Sequence, residues 1–168
     1  APKMYSSSIE YADTAISQSL KSIAQVMFAG IGTRVFYTQH GSFDTHSGEI
    51  ASHQKLWSDL SIGLADFMDD LKEHGKDKDT IVFLFSEFGR RIKDNGAGTD
   101  HGSGGVAFII GGDINGGLHG RYPSLQEKHQ VEGDLAFNND FRNTYSTIAE
   151  KWLGVDPEPV VKGKFDAL

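Results

Sequence analysis

The chain has 168 residues, a formal net charge of −7 and no cysteine, and 38% of its residues are apolar. The acidic excess excludes a protein that binds nucleic acid through clustered lysines and arginines, because affinity for the phosphate backbone depends on those cations. The lack of cysteine excludes disulfides and thiolate metal ligands, and no run of about 18 apolar residues is available to cross a bilayer. We therefore expect one globular domain over residues 1–168.

Two amphipathic helices are predicted in the first half of the chain. Apolar residues recur at spacings of three and four over residues 9–29, and Gly30 follows as a stop signal. A second such pattern covers residues 48–74 and ends at Gly75. Between the helices, Arg34 to Thr38 (RVFYT) is predicted to form a short strand that leads into a polar loop.

Two apolar runs in the middle of the chain are predicted to be strands. Residues 80–85 (TIVFLF) are apolar on both faces, which is typical of a central parallel strand covered by helices on both sides. Residues 106–110 (VAFII) form a second such run, and residues 113–134 are rich in turn residues. Asp140 can cap a last helix over residues 141–153. This order predicts an α/β fold, a layered sheet with helices on both faces.

Polar side chains that can bind metal follow these strands. In open α/β sheets, ligands bind outside the carboxyl ends of the strands. Carboxylates and imidazoles in one place are typical of a divalent-metal site, for example for zinc, manganese or iron. The candidates are His40, Asp44 and His46 after the first strand, Glu87 and Arg90 after the second, and Asp100 and His101 before the third.

Several of these residues also have a structural explanation. His40 could be a solvated loop residue, and Asp44 could form an Asx turn. Glu87 ends an apolar strand, where a carboxylate is costly unless it is paired or bound to a cation, so its alternative is a salt bridge to Arg90 or Arg91. The remaining histidines lie on a helix face, at a helix end or in turns, and we expect no functional role for His53, His74, His119 and His129.

The segments GSFDTH, SEFGR and TDHG, followed by NDFRNTYSTIAEKWLG, resemble the C-terminal part of domain-of-unknown-function family 1501. The resemblance covers nearly the whole chain. Because that family belongs to the alkaline phosphatase and sulfatase superfamily, the resemblance implies an alkaline-phosphatase-like fold. It also implies export through the twin-arginine pathway, and hence a periplasmic or extracellular location in a bacterium.

The resemblance further implies a metal-dependent hydrolase of small phosphate or sulfate esters. In the superfamily, an Asp and a His after one strand and a His before a later strand hold one metal, and these roles correspond to Asp44, His46 and His101. An acid that helps to hold a second metal corresponds to Glu87. The next ligand in phosphatases is a His, whereas this chain has Phe88 there, and the Asp-Thr-His spacing is shorter than in the phosphatases.

Further roles follow from this hydrolase hypothesis. We expect Asp100 to join the ligand set or to orient His101, and Arg90 to clamp substrate oxyanion oxygens with two parallel hydrogen bonds. The expected cofactor is a divalent metal, zinc first, with manganese, iron or calcium as alternatives. The superfamily nucleophile belongs to an N-terminal half, so we expect a C-terminal fragment that needs that half as its partner. The alternative function is a non-catalytic envelope module, stabilised by metal or binding another protein.

Overall fold

The computed structural model describes residues 5–168, so residues 1–4, which the predicted domain includes, lie outside the described residues. The chain combines helices and short strands, as predicted. The helices are Ala15–Phe28 (α1), Glu49–Glu73 (α2), Phe141–Thr147 (α3) and Glu158–Val161 (α4), and the strands are Ile81–Leu84 (β1), Gly89–Asp94 (β2), Thr99–Gly102 (β3) and Phe108–Gly111 (β4). Among the described residues, none of the helices is both long and apolar enough to cross a membrane.

The chain divides into two compact units, and each is described by itself. The first contains the chain up to Ser86 together with residues 94–100 and 106–114. Its core is the packed pair of α1 and α2, whose apolar faces meet because each repeats every three or four residues. The buried side chains of this core are Tyr11, Ile16, Leu20, Ala24, Leu64, Phe67 and Leu71.

The first helix begins at Ala15, so the prediction of a helix from residue 9 is wrong at its start. Thr14 caps α1, since its side chain accepts a hydrogen bond from the backbone N–H of Ser17. The preceding residues bond to α2 instead: the N–H of Ser8 donates to Glu73 at 3.0 Å and that of Ala12 to Asp66 at 3.1 Å. In this segment, hydrogen bonds to carboxylates of α2 replace those of a first helical turn.

A buried polar network lies under the same segment. Asp70 is fully buried, and its Oδ2 accepts hydrogen bonds from the hydroxyls of Tyr5 at 2.6 Å and Tyr11 at 2.8 Å. Its Oδ1 lies 3.1 Å from Nδ1 of His74, one helical turn later. The His74 ring stacks on Phe28 at a centroid distance of 4.2 Å. The two hydroxyls satisfy Oδ2, whereas Oδ1 accepts no hydrogen bond and is stabilised by the ion pair with His74.

Strand β1 pairs with β4 in antiparallel register, from Ile81 opposite Gly111 to Leu84 opposite Phe108. The prediction of a central parallel strand covered on both sides is therefore wrong, and β1 is half-buried along its length. The apolar run correctly indicated a strand. It could not identify the partner, because an apolar sequence is compatible with either strand direction.

The predicted strand at residues 34–38 is also wrong, because these residues belong to neither of the two sheets. Val35 is 71% exposed and Tyr37 is 70% exposed. A strand is stabilised by its partner's hydrogen bonds and cross-strand contacts rather than by its own composition. Since β1 and β4 pair with each other in a two-stranded sheet, the apolar alternation of residues 34–38 is not enough to form a strand.

The glycine-rich segment between Glu87 and Val106 was predicted to be a loop, whereas it contains β2 and β3, which pair in the second two-stranded sheet. Gly89 makes this segment compact: a Cβ at this position would lie 1.9 Å from the carbonyl oxygen of Gly104. The lack of a side chain therefore allows two backbone segments to approach closely here. A glycine-rich composition by itself does not distinguish such a close approach from a flexible loop.

The second unit contains residues 87–93, 101–105 and 115–168. As predicted, Asp140 caps its main helix, and its carboxylate accepts a hydrogen bond from the Arg142 N–H. The hydrogen bond from the Arg142 side chain lowers the pKa of Asp140 to about 2. The helix continues as a π-helical turn over Ile148–Trp152. The turn-rich segment before it contains a short 3-10 helix, Glu127–His129, and an isolated antiparallel bridge between Val131 and Asp134.

Candidate metal centre

The loop before α2 presents alternate side chains to opposite sides. Phe43 and Thr45 are half-buried, whereas Asp44 and His46 are exposed. The Phe43 ring packs 5.3 Å from that of Trp57 on α2, and the Thr45 N–H donates to the Phe43 carbonyl at 2.9 Å across a tight turn. The inward residues anchor the loop, and the outward ones lie at its exposed surface.

Two histidines help to anchor this loop. Nε2 of His53 lies 2.8 Å from the Thr45 hydroxyl, and Nε2 of His40 lies 3.0 Å from the carbonyl oxygen of Leu56. Both rings also contact Phe43, at centroid distances of 5.6 and 5.5 Å. The structure therefore gives His40 a hydrogen bond to the α2 backbone and a ring contact within the loop, and His53 is likewise a packing residue.

The segment between β2 and β3 docks onto the start of α2. Glu49 accepts hydrogen bonds from the backbone N–H of Thr99 at 2.9 Å and from its hydroxyl. The N–H of Gly48 donates to the carbonyl of Ala97 at 3.1 Å. A Cβ on Gly98 would lie 2.9 Å from Glu49 Oε1, so only glycine fits between the two segments without displacement. This docking places Asp100, the next residue after Thr99, beside the loop.

The imidazole of His46 lies between two carboxylates from these segments. Its Nδ1 is 3.1 Å from Oδ1 of Asp100, and its Nε2 is 3.2 Å from Oδ1 of Asp44. All three side chains are more than half exposed. Imidazole nitrogens and carboxylate oxygens form hydrogen bonds and ion pairs with each other, and both are also ligands of divalent metals.

The distance between Nε2 of His46 and Oδ1 of Asp44 is compatible with a shared metal ion as well as with a direct hydrogen bond. Ligands bound to zinc at roughly 2.0–2.2 Å are about 3.3 Å apart at tetrahedral angles. The 3.2 Å between Nε2 of His46 and Oδ1 of Asp44 matches this separation. The nitrogen and oxygen donor types suit zinc and manganese alike. The residues present therefore fit a divalent cation.

His101 follows Asp100 directly in the chain, and consecutive Cα atoms are about 3.8 Å apart. Asp44 and His46 are candidate metal ligands in the first unit and form, with Asp100, the group described here; His101, which is also exposed, belongs to the second unit. The ring of His101 stacks on Phe88 at a centroid distance of 4.0 Å and an interplanar angle of 9°. Phe88 is thus a stacking surface for this predicted metal ligand.

Two further predicted site residues, Glu87 and Arg90, belong to the second unit. Glu87 is exposed just after β1. The guanidinium of Arg90 lies over the Phe88 ring, 5.2 Å from its centroid. Asp100 lies beside His46, whereas it was predicted to orient His101 or to join the ligand set.

Three residues that hold the group together were not identified from the sequence. Glu49 and Gly98 dock the hairpin, and Asn95 donates to Oδ1 of Asp100 at 3.0 Å. The only sequence signal for them was local. Asn-Gly at residues 95–96 is a turn dipeptide, and Glu49 opens a helix, where a carboxylate is favourable. Neither pattern predicts a contact across some fifty residues of chain.

The comparisons with known proteins identify the family and nothing beyond it. The model of a family described as "Protein of unknown function (DUF1501)" matches residues 4–166, so the chain belongs to this family. No curated protein and no solved structure matches the chain.

Proposed function

We propose that this chain carries the metal centre of a metal-dependent hydrolase of phosphate or sulfate esters, with an alkaline-phosphatase-like ancestry. The observation that supports the proposal best is the position of the His46 ring between the carboxylates of Asp44 and Asp100, a set of donor types that suits a divalent cation. The family resemblance supplies the reaction class, since a fold relationship and a metal site do not by themselves define one.

The residues of the group have distinct roles in this proposal. Asp44 and His46 bind the cation, with His101 as the further ligand that the family resemblance implies, and Asp100 contacts the His46 ring. A bound divalent cation supplies positive charge that activates the nucleophile and stabilises the leaving oxygen. Arg90 binds the remaining oxyanion oxygens, because a guanidinium matches their geometry with two parallel hydrogen bonds. No Ser or Thr here matches the superfamily nucleophile, so another polypeptide segment is expected to supply it.

Metal binding is the first test. The purified chain is stripped with chelator, dialysed against zinc or manganese and analysed for bound metal, beside His46→Ala and the control His119→Ala. His119 is exposed, and its Nε2 bonds to the carbonyl of Asn115 outside the group. We expect one bound equivalent in the wild type and in the control, and loss of that equivalent in His46→Ala. Equal metal content in all three would contradict the proposed centre.

The reaction class needs a second test that does not depend on the nucleophile. Inorganic phosphate and sulfate are titrated calorimetrically into the metal-loaded chain. We expect binding that is weakened in Arg90→Ala and retained in the control Arg91→Ala, whose side chain is exposed on the same strand. Hydrolysis of aryl phosphate and aryl sulfate is measured in parallel.

One feature of the site favours a second candidate function. The group joins the loop at Asp44 to the segment at Asp100, which is far away in sequence, and its side chains are more than half exposed. A cation there would cross-link the two segments of a non-catalytic envelope module. Metal binding that raises thermal stability without any affinity for phosphate or sulfate would support this candidate against the hydrolase.

A further inference from the structure

The segment of residues 5–12, which we call the strap, is attached to α2 by ionisable groups. Among the described residues, every hydrogen bond between the strap and this helix or its C-terminal cap uses one of four such side chains: Asp66, Asp70, Glu73 and His74. These lie at positions i, i+4, i+7 and i+8, which share one helical face. No backbone-to-backbone hydrogen bond joins the strap to the rest of the described first unit. Its attachment therefore depends on the protonation of side chains.

The carboxylates accept hydrogen bonds from uncharged groups of the strap. Glu73 accepts from the Ser8 N–H at 3.0 and 3.1 Å and from the Ser8 hydroxyl, and Asp66 accepts from the Ala12 N–H at 3.1 Å. The Ser8 hydroxyl and then its N–H lower the pKa of Glu73. Carboxylates are ionised above about pH 5, so these bonds do not change with pH near neutrality.

His74 is a donor to the strap instead. Its Nε2 lies 3.1 Å from the Ser6 carbonyl oxygen, and its Nδ1 lies 2.9 Å from the Asp70 carbonyl oxygen and 3.1 Å from the buried Asp70 carboxylate. Both nitrogens therefore donate when the ring is charged. A neutral ring has one proton, which Nδ1 keeps because the buried carboxylate stabilises it there. Nε2 then directs a lone pair at the Ser6 carbonyl, and this contact is lost.

The surroundings of the ring leave His74 as the group that changes charge near neutral pH. The titratable groups that face it are Asp70 and Glu73 on α2 and Tyr5 of the strap, whose ring centroid is 5.9 Å away. Burial and the hydrogen bond to Asp70 raise the pKa of Tyr5 to about 12, so it stays protonated. From α1, the uncharged ring of Phe28 stacks at 4.2 Å.

The two ends of the strap are held with different strength. Tyr11, at the inner end, is buried in the core of the first unit, whereas Ser6 and Ser8 at the outer end are exposed. We infer that the strap is a pH-sensitive device: its outer end, residues 5–8, is closed while His74 is charged and opens when His74 loses its proton, and the inner end stays in place. Opening uncovers the Phe28 ring, on which Tyr5 stacks at 5.7 Å.

Amide hydrogen exchange in the presence of chelator tests this device without any metal. The Ser8 N–H reports on the outer end and the Ala12 N–H on the inner end, each as a protection factor relative to the unfolded peptide at the same pH. Between about pH 6 and about pH 9, where histidine titrates, we expect the protection of Ser8 to fall about tenfold, the scale of one lost hydrogen bond to a charged group. Ala12 should keep its protection. The midpoint should coincide with the titration of the His74 ring, followed by NMR in the same samples.

His74→Gln is the matched variant, because a carboxamide donates a hydrogen bond and does not titrate. We expect its Ser8 protection to be independent of pH over this range. Where the shorter side chain does not reach Ser6, Ser8 should be unprotected at every pH while Ala12 stays protected, which also makes His74 the closing group. The control is His119→Gln, at an exposed ring whose Nε2 bonds to the Asn115 carbonyl, and it should behave as the wild type does.

Three results would overturn the inference. The first is a Ser8 protection that stays constant in the wild type, or that changes with a midpoint different from that of His74. The second is a wild-type pH dependence that persists in His74→Gln. The third is a simultaneous loss of protection at Ser8 and Ala12, since the outer end would then not open by itself.

Discussion

The first unit contains two carboxylate–imidazole pairs of the same dimensions and different character. Oδ1 of Asp70 lies 3.1 Å from Nδ1 of His74, and Oδ1 of Asp100 lies 3.1 Å from Nδ1 of His46. Asp70 is completely buried, whereas Asp100 is 56% exposed. The first pair forms within one turn of α2, and the second joins segments 54 residues apart. Their difference lies in burial and in sequence separation.

Both nitrogens of the buried ring face backbone oxygens. Nδ1 of His74 is 2.9 Å from the carbonyl oxygen of Asp70, and Nε2 is 3.1 Å from that of Ser6. Carbonyl oxygens only accept, so both nitrogens must donate and the charged imidazolium is favoured. Nε2 of His46 faces the carboxylate of Asp44. The comparison shows that the same chemical pair can be an enclosed tie within one helix or an exposed contact between two segments of chain.

Removing the buried carboxylate should have the largest effect on stability. Asp70→Ala leaves two tyrosine hydroxyls without their acceptor and His74 without its counter-charge, and we expect a loss of about 3–5 kcal/mol. Urea unfolding measures it. The neighbouring Asp69 forms an exposed ion pair with Lys72, so Asp69→Ala should change stability by less than about 0.5 kcal/mol. Equal losses in the two variants would show that Asp70 is not a structural tie.

Crowding the exposed pair should have a smaller effect on stability and a specific one on metal binding. In Gly98→Ala the new Cβ would lie 2.9 Å from Glu49 Oε1 and 3.0 Å from the His46 carbonyl. We expect a loss of about 1–3 kcal/mol from overpacking, together with weaker zinc binding in calorimetry. Gly41→Ala is the control, since a Cβ there meets nothing within 4 Å. Unchanged zinc affinity in Gly98→Ala would separate the docking of the hairpin from the metal centre.

Alkaline pH should weaken the buried network. Burial and then the hydrogen bond to Asp70 raise the pKa of Tyr5 to about 12, and the same causes raise the pKa of Tyr11. The folded state therefore favours the protonated phenols, and this stability is complete below about pH 10 and declines above it. Urea unfolding should show this decline when it is measured from roughly pH 9 to 12, the range in which tyrosine ionises.

The double variant Tyr5→Phe, Tyr11→Phe should flatten that pH dependence, because neither side chain can ionise. Tyr122→Phe is the control, at a side chain that is 88% exposed. An unchanged slope in the double variant would mean that other groups cause the alkaline loss.

The smallest expected effect concerns His74. The hydrogen bond to the Asp70 carbonyl, and then that to the Ser6 carbonyl, raise its pKa above the ordinary value. A raised folded-state pKa gives stability that is complete below about pH 6.5 and is lost as pH rises through the folded value. Unfolding free energies measured from pH 5.5 to 8, roughly the titration range of histidine, should fall in the wild type and less in His74→Gln. A parallel slope in both would contradict this contribution.

Elements that depend on local sequence could be predicted well. The second predicted helix corresponds to α2, the capping role of Asp140 is confirmed, and the residues 80–85 contain β1. These features depend on the spacing of apolar residues and on capping side chains, and both act over only a few residues of sequence. The predictions that were wrong concern contacts outside the local segment: the start of the first helix, the direction of β1, the strand at residues 34–38 and the hairpin.

The candidate site divides in the same way. Asp44, His46, Asp100 and His101 could be selected because acidic and imidazole side chains near strand ends suggest metal chemistry. The sequence did not predict the contact between Asp100 and His46. It also did not predict that Asn95 and Glu49 support this contact. These contacts depend on docking of the hairpin against the start of α2, which is a long-range event.

By itself, the sequence determined the two long helices, the apolar strand segments, the absence of thiolate ligands and the residue types available for a metal. It did so because helix periodicity, capping and donor chemistry are local properties. Only the tertiary structure decided which carboxylate meets which imidazole. Asp70 and Asp100 differ in role because one is enclosed between α1, α2 and the segment before them, and the other lies at an exposed junction between the turn at Asn95 and the loop at His46.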